Sequence, residues 1–274
     1  MDHLPWVESF LDIVKREYQH SPPAYRLTEP SYADLHYVEK VATEADSFDV
    51  LGLKRQTWLA YQQGQVNLIK CQSDFGTILL LTFKSNPLKP TWNTWWRAVR
   101  LLSPKKPVRI LIFAHPQQRL LPKAPAKIGP EHVNGGATMP CDPQSIVVYR
   151  KEEATRVLIH ELFHSSCSDP YHRDTPDIET STEAWTELLL CAMAAKGLYK
   201  PWSTAIKQQF QWALRQEATT HDSGQVISKA DYGWRYLTGR INFWRGLGLP
   251  VPYSERRYQH VSSLRFTVCE PKNV

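Results

Sequence analysis

Long apolar runs are missing from this chain of 274 residues. The longest, around Thr77 to Phe83, is far too short to cross a bilayer, and the amino terminus carries Asp2 and Glu8 and lacks the apolar stretch of a secretory signal. These absences exclude membrane spans and point to a soluble, unsecreted, intracellular protein with no membrane partner. Paired CxxC spacings are missing too. The five cysteines, Cys71, Cys141, Cys167, Cys191 and Cys269, are odd in number and scattered, so reduced thiols are expected, with Cys167 packed at a helix end. No internal repeat, low-complexity tract or clean linker occurs, which excludes repeat arrays. Acidic residues vanish between Asp74 and Glu131, where Lys84, Lys89, Arg97, Arg100, Lys105, Lys106, Arg109, Arg119, Lys123 and Lys127 all fall within a chain of net charge +6. Such a block attracts polyanions or acidic peptides. Trp92, Trp95 and Trp96 are interleaved with it and would suit stacking on nucleic-acid bases. Their near-helical spacing instead predicts a core face with the charges solvated around it.

What is present is an ordinary globular composition: 42% hydrophobic residues, ten tryptophans and twelve tyrosines, enough for a substantial core. Trp6, Phe10, Leu11 and Val14 predict an amphipathic helix from Pro5 to about Glu17, and Tyr32, Leu35, Val38 and Val41 recur at helical spacing in a mixed segment ending near Val50. Residues 56–83 read as strands with a turn at Gly64-Gln65, followed by a tryptophan-rich helix from Thr91 to Leu102 and a strand from Val108 to Phe113. A proline- and lysine-rich loop over 116–130 precedes Asn134-Gly135-Gly136 and a strand from Ser145 to Tyr149. A helix starting near Lys151 carries Glu152 and Glu153 in its first turn, where they complement the helix dipole. Ser168 to Glu179 reads as a polar loop, the next helix ends at Gly197, further helices cover roughly 202–218 and 230–246, and a strand-like tail runs from Val261 to Val268. Strands first and helices later predict an α+β fold. The expected organisation is a helical segment over 1–50 and one domain over 51–274, mainly sheet to residue 150 and mainly helical after it.

Chemistry concentrates at His160-Glu161-Leu162-Phe163-His164. Histidines four apart on a helix lie one above the other, so both imidazoles reach one metal ion without bending the helix. Zinc is the natural occupant, with three protein ligands and a fourth position left to water, from which Glu161 takes a proton. The competing explanation is two core histidines bonded to backbone and one surface glutamate. Glu183, separated from His164 by eighteen residues and standing at the start of a second helical pattern, is the candidate third ligand. Thr180-Ser181-Thr182-Glu183 also reads as a capping box, and Asp169, His172, Asp174 and Asp177 are rival ligands.

Over about residues 150–190 the motif and its gap resemble the gluzincin metallopeptidases, in which HExxH is followed by a helix bearing the ligand glutamate. Thr182-Glu183 and Glu187 match the small polar residue before that ligand and the acid four positions after it, so the resemblance implies that Glu187 orients His160. Ser166 departs from the pattern, which prefers an apolar residue there. Metzincin spacing would put Pro170 where a third histidine belongs, so that family is excluded. The zincin resemblance also implies an edge strand above the metal that pairs with substrate, expected here at Asn134, Gly135 and Gly136, for which a plain turn is the competing explanation. It implies a downstream oxyanion donor as well, for which His221, Tyr232 and Tyr236 are placed and Tyr232 is favoured. Asn134-Gly135-Gly136, the Ile146-Val147-Val148 strand and Arg150-Lys151-Glu152-Glu153 leading into Val157-Leu158-Ile159-His160-Glu161 look like zinc proteases encoded by large DNA viruses, a resemblance that would extend over about residues 108–195 and implies a virus-encoded protein. The function so implied is a zinc-dependent metallopeptidase acting on peptide or protein substrates, acidic ones among them. Lack of an acidic exopeptidase motif before the metal helix disfavours aminopeptidase action. The alternatives are a catalytically silent zincin scaffold that binds nucleic acid or a protein partner through the basic face, and hydrolysis of a non-peptide amide.

Overall fold

Ile78-Leu79-Leu80-Leu81, Ile110-Leu111-Ile112-Phe113 and Ile146-Val147-Val148 are apolar on both sides of the pleat, as strands covered on both faces must be. All of them are buried in the computed structural model, which describes residues 4–102, 106–169, 174–253 and 258–269. In chain order the described elements are α1 (Pro5–Gln19), β1 (Tyr25–Thr28), α2 (Tyr32–Thr43), α3 (Leu53–Gln62), β2 (Val66–Ser73), β3 (Gly76–Phe83), α4 (Trp92–Leu102), β4 (Val108–His115), α5 (Pro130–Val133), β5 (Gly136–Ala137), β6 (Ile146–Arg150), α6 (Ala154–Ser165), α7 (Thr175–Ala194) and α8 (Tyr199–Asp222). A 3-10 turn (Tyr232–Trp234) and a π-helical turn (Arg235–Gly239) then lead into α9 (Arg240–Gly246). The fold is α+β, as expected. Among the described residues no helix is long and apolar enough to cross a membrane.

The chain divides into two compact units, one of residues 22–118 and 134–168, the other of residues 1–21, 119–133 and 169–274. Helix α1 belongs to the second and α2 to the first.

The sheet unit holds six strands in the order β1-β2-β3-β4-β6-β5. β1, β2 and β3 pair antiparallel, β3, β4 and β6 pair parallel, and β5 closes the edge antiparallel to β6. One face, with Leu79, Leu81, Leu111, Phe113, Val147 and Tyr149, packs on α2 and α3 through Val38, Ala42, Leu53 and Trp58. The other, with Ile78, Leu80, Ile110, Ile112, Ile146 and Val148, is equally buried. Cys71 pairs with Ile78 in register and accepts the Trp96 indole N–H at 3.3 Å, which puts α4 on that second face, and α4 packs against α6.

α3 makes residues 56–62 helical, where strands were expected. The Asp49 carboxylate accepts the Leu53 and Lys54 amides at 2.8 and 2.9 Å and so satisfies two donors that a helix start leaves open. Gly64 turns the chain from α3 into β2, and the hairpin itself turns at Asp74-Phe75, between the paired Ser73 and Gly76. The histidine helix also starts later than expected. Glu153 is left-handed, with φ 58°, which a continuing helix cannot contain, so Glu152 and Glu153 precede α6.

In the helical unit, α7 starts at Thr175, so the expected polar loop ends earlier. The Asp174 carboxylate accepts the Asp177 amide at 3.0 Å, and Pro176 stands in the first turn, where its missing N–H is harmless. Trp6 and Phe10 of α1 pack on Trp185 of α7 with ring centroids 5.6 and 5.9 Å apart. α7 ends at Ala194, and the chain turns away at the left-handed Gly197, near the expected end, where a Cβ would meet the Lys15 backbone. The helix read over 230–246 is instead the succession of 3-10, π and α turns. The tail near 261–268 is bridged to Leu120 only at Ser263, and side chains hold the rest. Trp212 donates to the Arg265 carbonyl at 2.7 Å, Gln216 to the Ser263 carbonyl at 3.1 Å, and Arg240 to the Phe266 carbonyl at 3.0 Å.

Candidate metal centre

Helix α6 is buried everywhere except at Thr155 and Phe163. Apolar neighbours cover most of it, and α4 grips it at Thr155, whose hydroxyl accepts the Trp95 indole N–H at 2.8 Å. A helix so held fixes the direction of its side chains. The Nε2 atoms of His160 and His164 lie 3.0 Å apart, with the rings inclined at 74° and both residues 7% exposed. Two imidazole nitrogens at ligand distance from one tetrahedral zinc would stand roughly 3.3 Å apart, so the pair fits a shared ion.

The carbonyl of His164 is itself anchored. It accepts the Cys141 amide at 3.0 Å and the Cys167 amide at 3.3 Å, and the two cysteines are joined by a disulfide. This corrects the expectation that all five thiols are reduced: Cys71, Cys191 and Cys269 are free, whereas Cys141 and Cys167 are bonded. Their approach depends on the loop before β6 folding back to the end of α6, a non-local contact that cysteine spacing does not reveal.

Glu161 is 4% exposed and faces β5, the last strand of the sheet. A Cβ on Gly136 would lie 2.7 Å from Glu161 Oε1, 2.7 Å from the Val147 carbonyl oxygen and 2.7 Å from Val157 Cγ1. The Gly135 carbonyl accepts the Tyr149 amide at 2.6 Å. Asn134 is buried; its side-chain amide donates to the Phe48 carbonyl at 3.2 Å, and its carbonyl accepts from Arg150 Nε at 2.9 Å. The Tyr149 phenol donates to Asp46 at 2.7 Å, and Asp46 also pairs with Lys54 at 2.9 Å. Burial first, then the negative charges of Asp46 and Glu161, push the Tyr149 phenol well above its ordinary value.

In the helical unit, α7 presents Glu179, Glu183 and Glu187 at successive four-residue intervals, hence on one stripe. Glu183 is 2% exposed and lies in the interior of the helix, so the capping box that competed for it does not form. Glu187 is fully buried, with its carboxylate 3.9 Å from Arg240 Nη1, and Arg240 in turn donates to Gln216 at 2.7 Å. The phenol oxygens of Tyr232 and Tyr236 are 3.5 Å apart. Burial first, then the charge of Glu179, raises the Tyr236 phenol well above its ordinary value. His221 is exposed at the end of α8 beside Asp222. Pro170 and the rival ligand His172 lie outside the described residues.

Among the described residues, His160 and His164 of the sheet unit and Glu179 of the helical unit are candidates to hold a metal ion. Glu179 was missed in the sequence because 168–179 read as loop. The signal was there in Asp174-Thr175-Pro176-Asp177, a helix start that puts Glu179 one turn before Glu183.

Two of the three tryptophans of the acid-free stretch, Trp95 and Trp96, are 1% and 0% exposed and serve the core, whereas Trp92 is half-buried. Several of its cations are likewise committed. Arg97 and Arg119 are buried, Arg109 lies 4.6 Å over the Tyr37 ring, and Lys127 pairs with Asp231 at 3.1 Å.

Comparisons of the chain with protein-family models, with curated proteins and with solved structures return no match.

Proposed function

We propose that the chain is a zinc-dependent endopeptidase of zincin-like fold, with His160 and His164 as metal ligands, an α7 carboxylate as the third and Glu161 as general base. The observation that carries this reading is the pair of imidazole nitrogens 3.0 Å apart on a helix whose intervening glutamate lies against the edge strand of the sheet. Two imidazoles and a carboxylate form a donor set that suits zinc. When bound, the ion supplies a Lewis acid that polarises the scissile carbonyl.

The remaining work falls to the chain's own groups. Glu161 takes a proton from the attacking water and returns it to the leaving amine. An extended peptide adds beside β5, using the backbone of Gly135 and Gly136, while Asn134 braces that segment against Phe48. Glu179 and Glu183 are the two carboxylates proposed for the third ligand, the first from the group of potential ligand atoms and the second from its spacing after His164. Tyr232 is the proposed oxyanion donor, with Tyr236 beside it. The acid-free stretch favours acidic peptides, and their cleavage should slow with added salt while that of neutral peptides does not.

The test is Glu161→Gln in zinc-loaded protein. The expected result is unchanged metal content and a loss of peptide hydrolysis of at least about 100-fold. Hydrolysis equal to the parent's would overturn the role of Glu161. A metal-bearing parent that cleaves no peptide would instead be a silent scaffold.

A further inference from the structure

Glycine at position 136 calls for a reason that its backbone does not supply. Its φ lies outside the left-handed region, so any residue could adopt the conformation, and the register of β5 on β6 is ordinary, Gly136 opposite Val148 and Ala137 opposite Val147. Space supplies the reason. The position of the missing Cβ is closed on three sides at 2.7 Å, by the Val147 carbonyl of the neighbouring strand, by Val157 of α6 and by the Glu161 carboxylate. Val157 and Glu161 are one turn apart on α6, so both stand on the face that meets β5.

We infer that Gly136 is a positioning residue for Glu161: its lack of a side chain is what lets the carboxylate rest against β5, where the edge strand sets its height and direction. The inference rests on the reading of Glu161 as general base and adds to it the group that aims that base. Of the three neighbours, the Val147 carbonyl belongs to a paired strand and Val157 is rooted in a buried helix turn. The Glu161 carboxylate, at the end of a flexible side chain, is the one that yields most readily. A methyl group at position 136 therefore displaces the carboxylate as well as pressing on the Val147 carbonyl and Val157. A shift of about 1 Å in a reacting group can cost about 100-fold in rate. The glycine is then needed for the aim of the base, beyond any close approach of substrate to the strand.

The experiment compares the full-length parent with Gly136→Ala, Glu161→Ala and the double variant, first by thermal unfolding and then, in zinc-loaded protein, by peptide hydrolysis. Gly136→Ala should melt several degrees below the parent, and adding Glu161→Ala should recover part of that loss, because the methyl then occupies vacated space. In hydrolysis, Gly136→Ala should lower kcat about 100-fold and leave KM within about threefold. Strictly additive melting shifts would overturn the inference, as would a kcat within about threefold of the parent's or a loss confined to KM. Should Gly136→Ala fail to fold, recovery of soluble protein by Glu161→Ala supports the inference, and recovery by Val157→Ala alone overturns it. Unfolding needs no catalysis, so the contact is decided even if the parent hydrolyses nothing, and that outcome counts against the peptidase reading alone.

Discussion

Helices α6 and α7 carry the candidate chemistry and are fixed by different means. α6 begins without a side-chain cap, at a left-handed Glu153, and its far end is held by the disulfide and by two amides on the His164 carbonyl. α7 begins with a side-chain cap at Asp174 and carries a stripe of buried polar groups, Thr180, Glu183 and Glu187 among them. One helix is pinned at its end by a covalent link from a distant loop, the other at its start by a local hydrogen bond. The comparison teaches that a site helix can be held rigid from either end, and that the two solutions should fail under different perturbations.

The largest expected effect separates ligands from supports. His160→Ala or His164→Ala should weaken zinc binding by more than the 10- to 100-fold that loss of a supporting group typically costs. Titrations of Glu179→Ala and Glu183→Ala should then show one carboxylate falling with the histidines and the other within that lesser range. Equal, small effects from both would remove α7 from the metal site.

Breaking the disulfide comes next. Cys141→Ser or Cys167→Ser should lower stability by about 3 kcal/mol, the entropy of a closed loop of this size, and a reducing agent should do the same to the parent. The check is urea unfolding with and without dithiothreitol, and coincident curves would mean that the link contributes nothing to holding α6.

Asp174→Ala should cost about 1 kcal/mol through loss of the α7 cap, readable in the same unfolding experiment. It should leave the disulfide variants' losses unchanged, since the cap belongs to the helical unit and the disulfide to the sheet unit.

The smallest effect concerns pH. Burial works against ionisation of Asp46, but hydrogen bonds from Lys54 and Tyr149 outweigh it and hold the carboxyl below its usual value. A group depressed on folding contributes stability that is present above its unfolded value, near pH 4, and lost as pH falls through the folded one. Asp46→Asn should therefore make unfolding less sensitive to acid below about pH 4 than in the parent. Identical acid sensitivity would show that the pair with Lys54 contributes no pH-dependent stability.

Legibility in the sequence followed the range of the interactions involved. His160 and His164 could be read because one helical turn brings them together, whatever the rest of the chain does. The buried strands β3, β4 and β6 could be read because apolar runs bounded by turn residues have few other fates. Residues 53–62 could not, because what makes them helical is the Asp49 carboxylate on the Leu53 and Lys54 amides, a cap placed outside the usual position. Glu179 was hidden by a helix boundary misplaced by one turn, and the disulfide by a loop that returns across 26 residues. Gly136 was noticed, but for the approach of a substrate. The space a Cβ would need there is closed by the Val147 carbonyl, Val157 and the Glu161 carboxylate.

The most direct test of the metal centre is zinc-edge X-ray absorption on the purified, zinc-loaded protein beside its His164→Ala variant. The account predicts one zinc per chain in the parent, with two imidazole nitrogens and carboxylate oxygen around it, and loss of that signal in the variant. Sulfur at about 2.3 Å, or the same spectrum from His164→Ala, would contradict it.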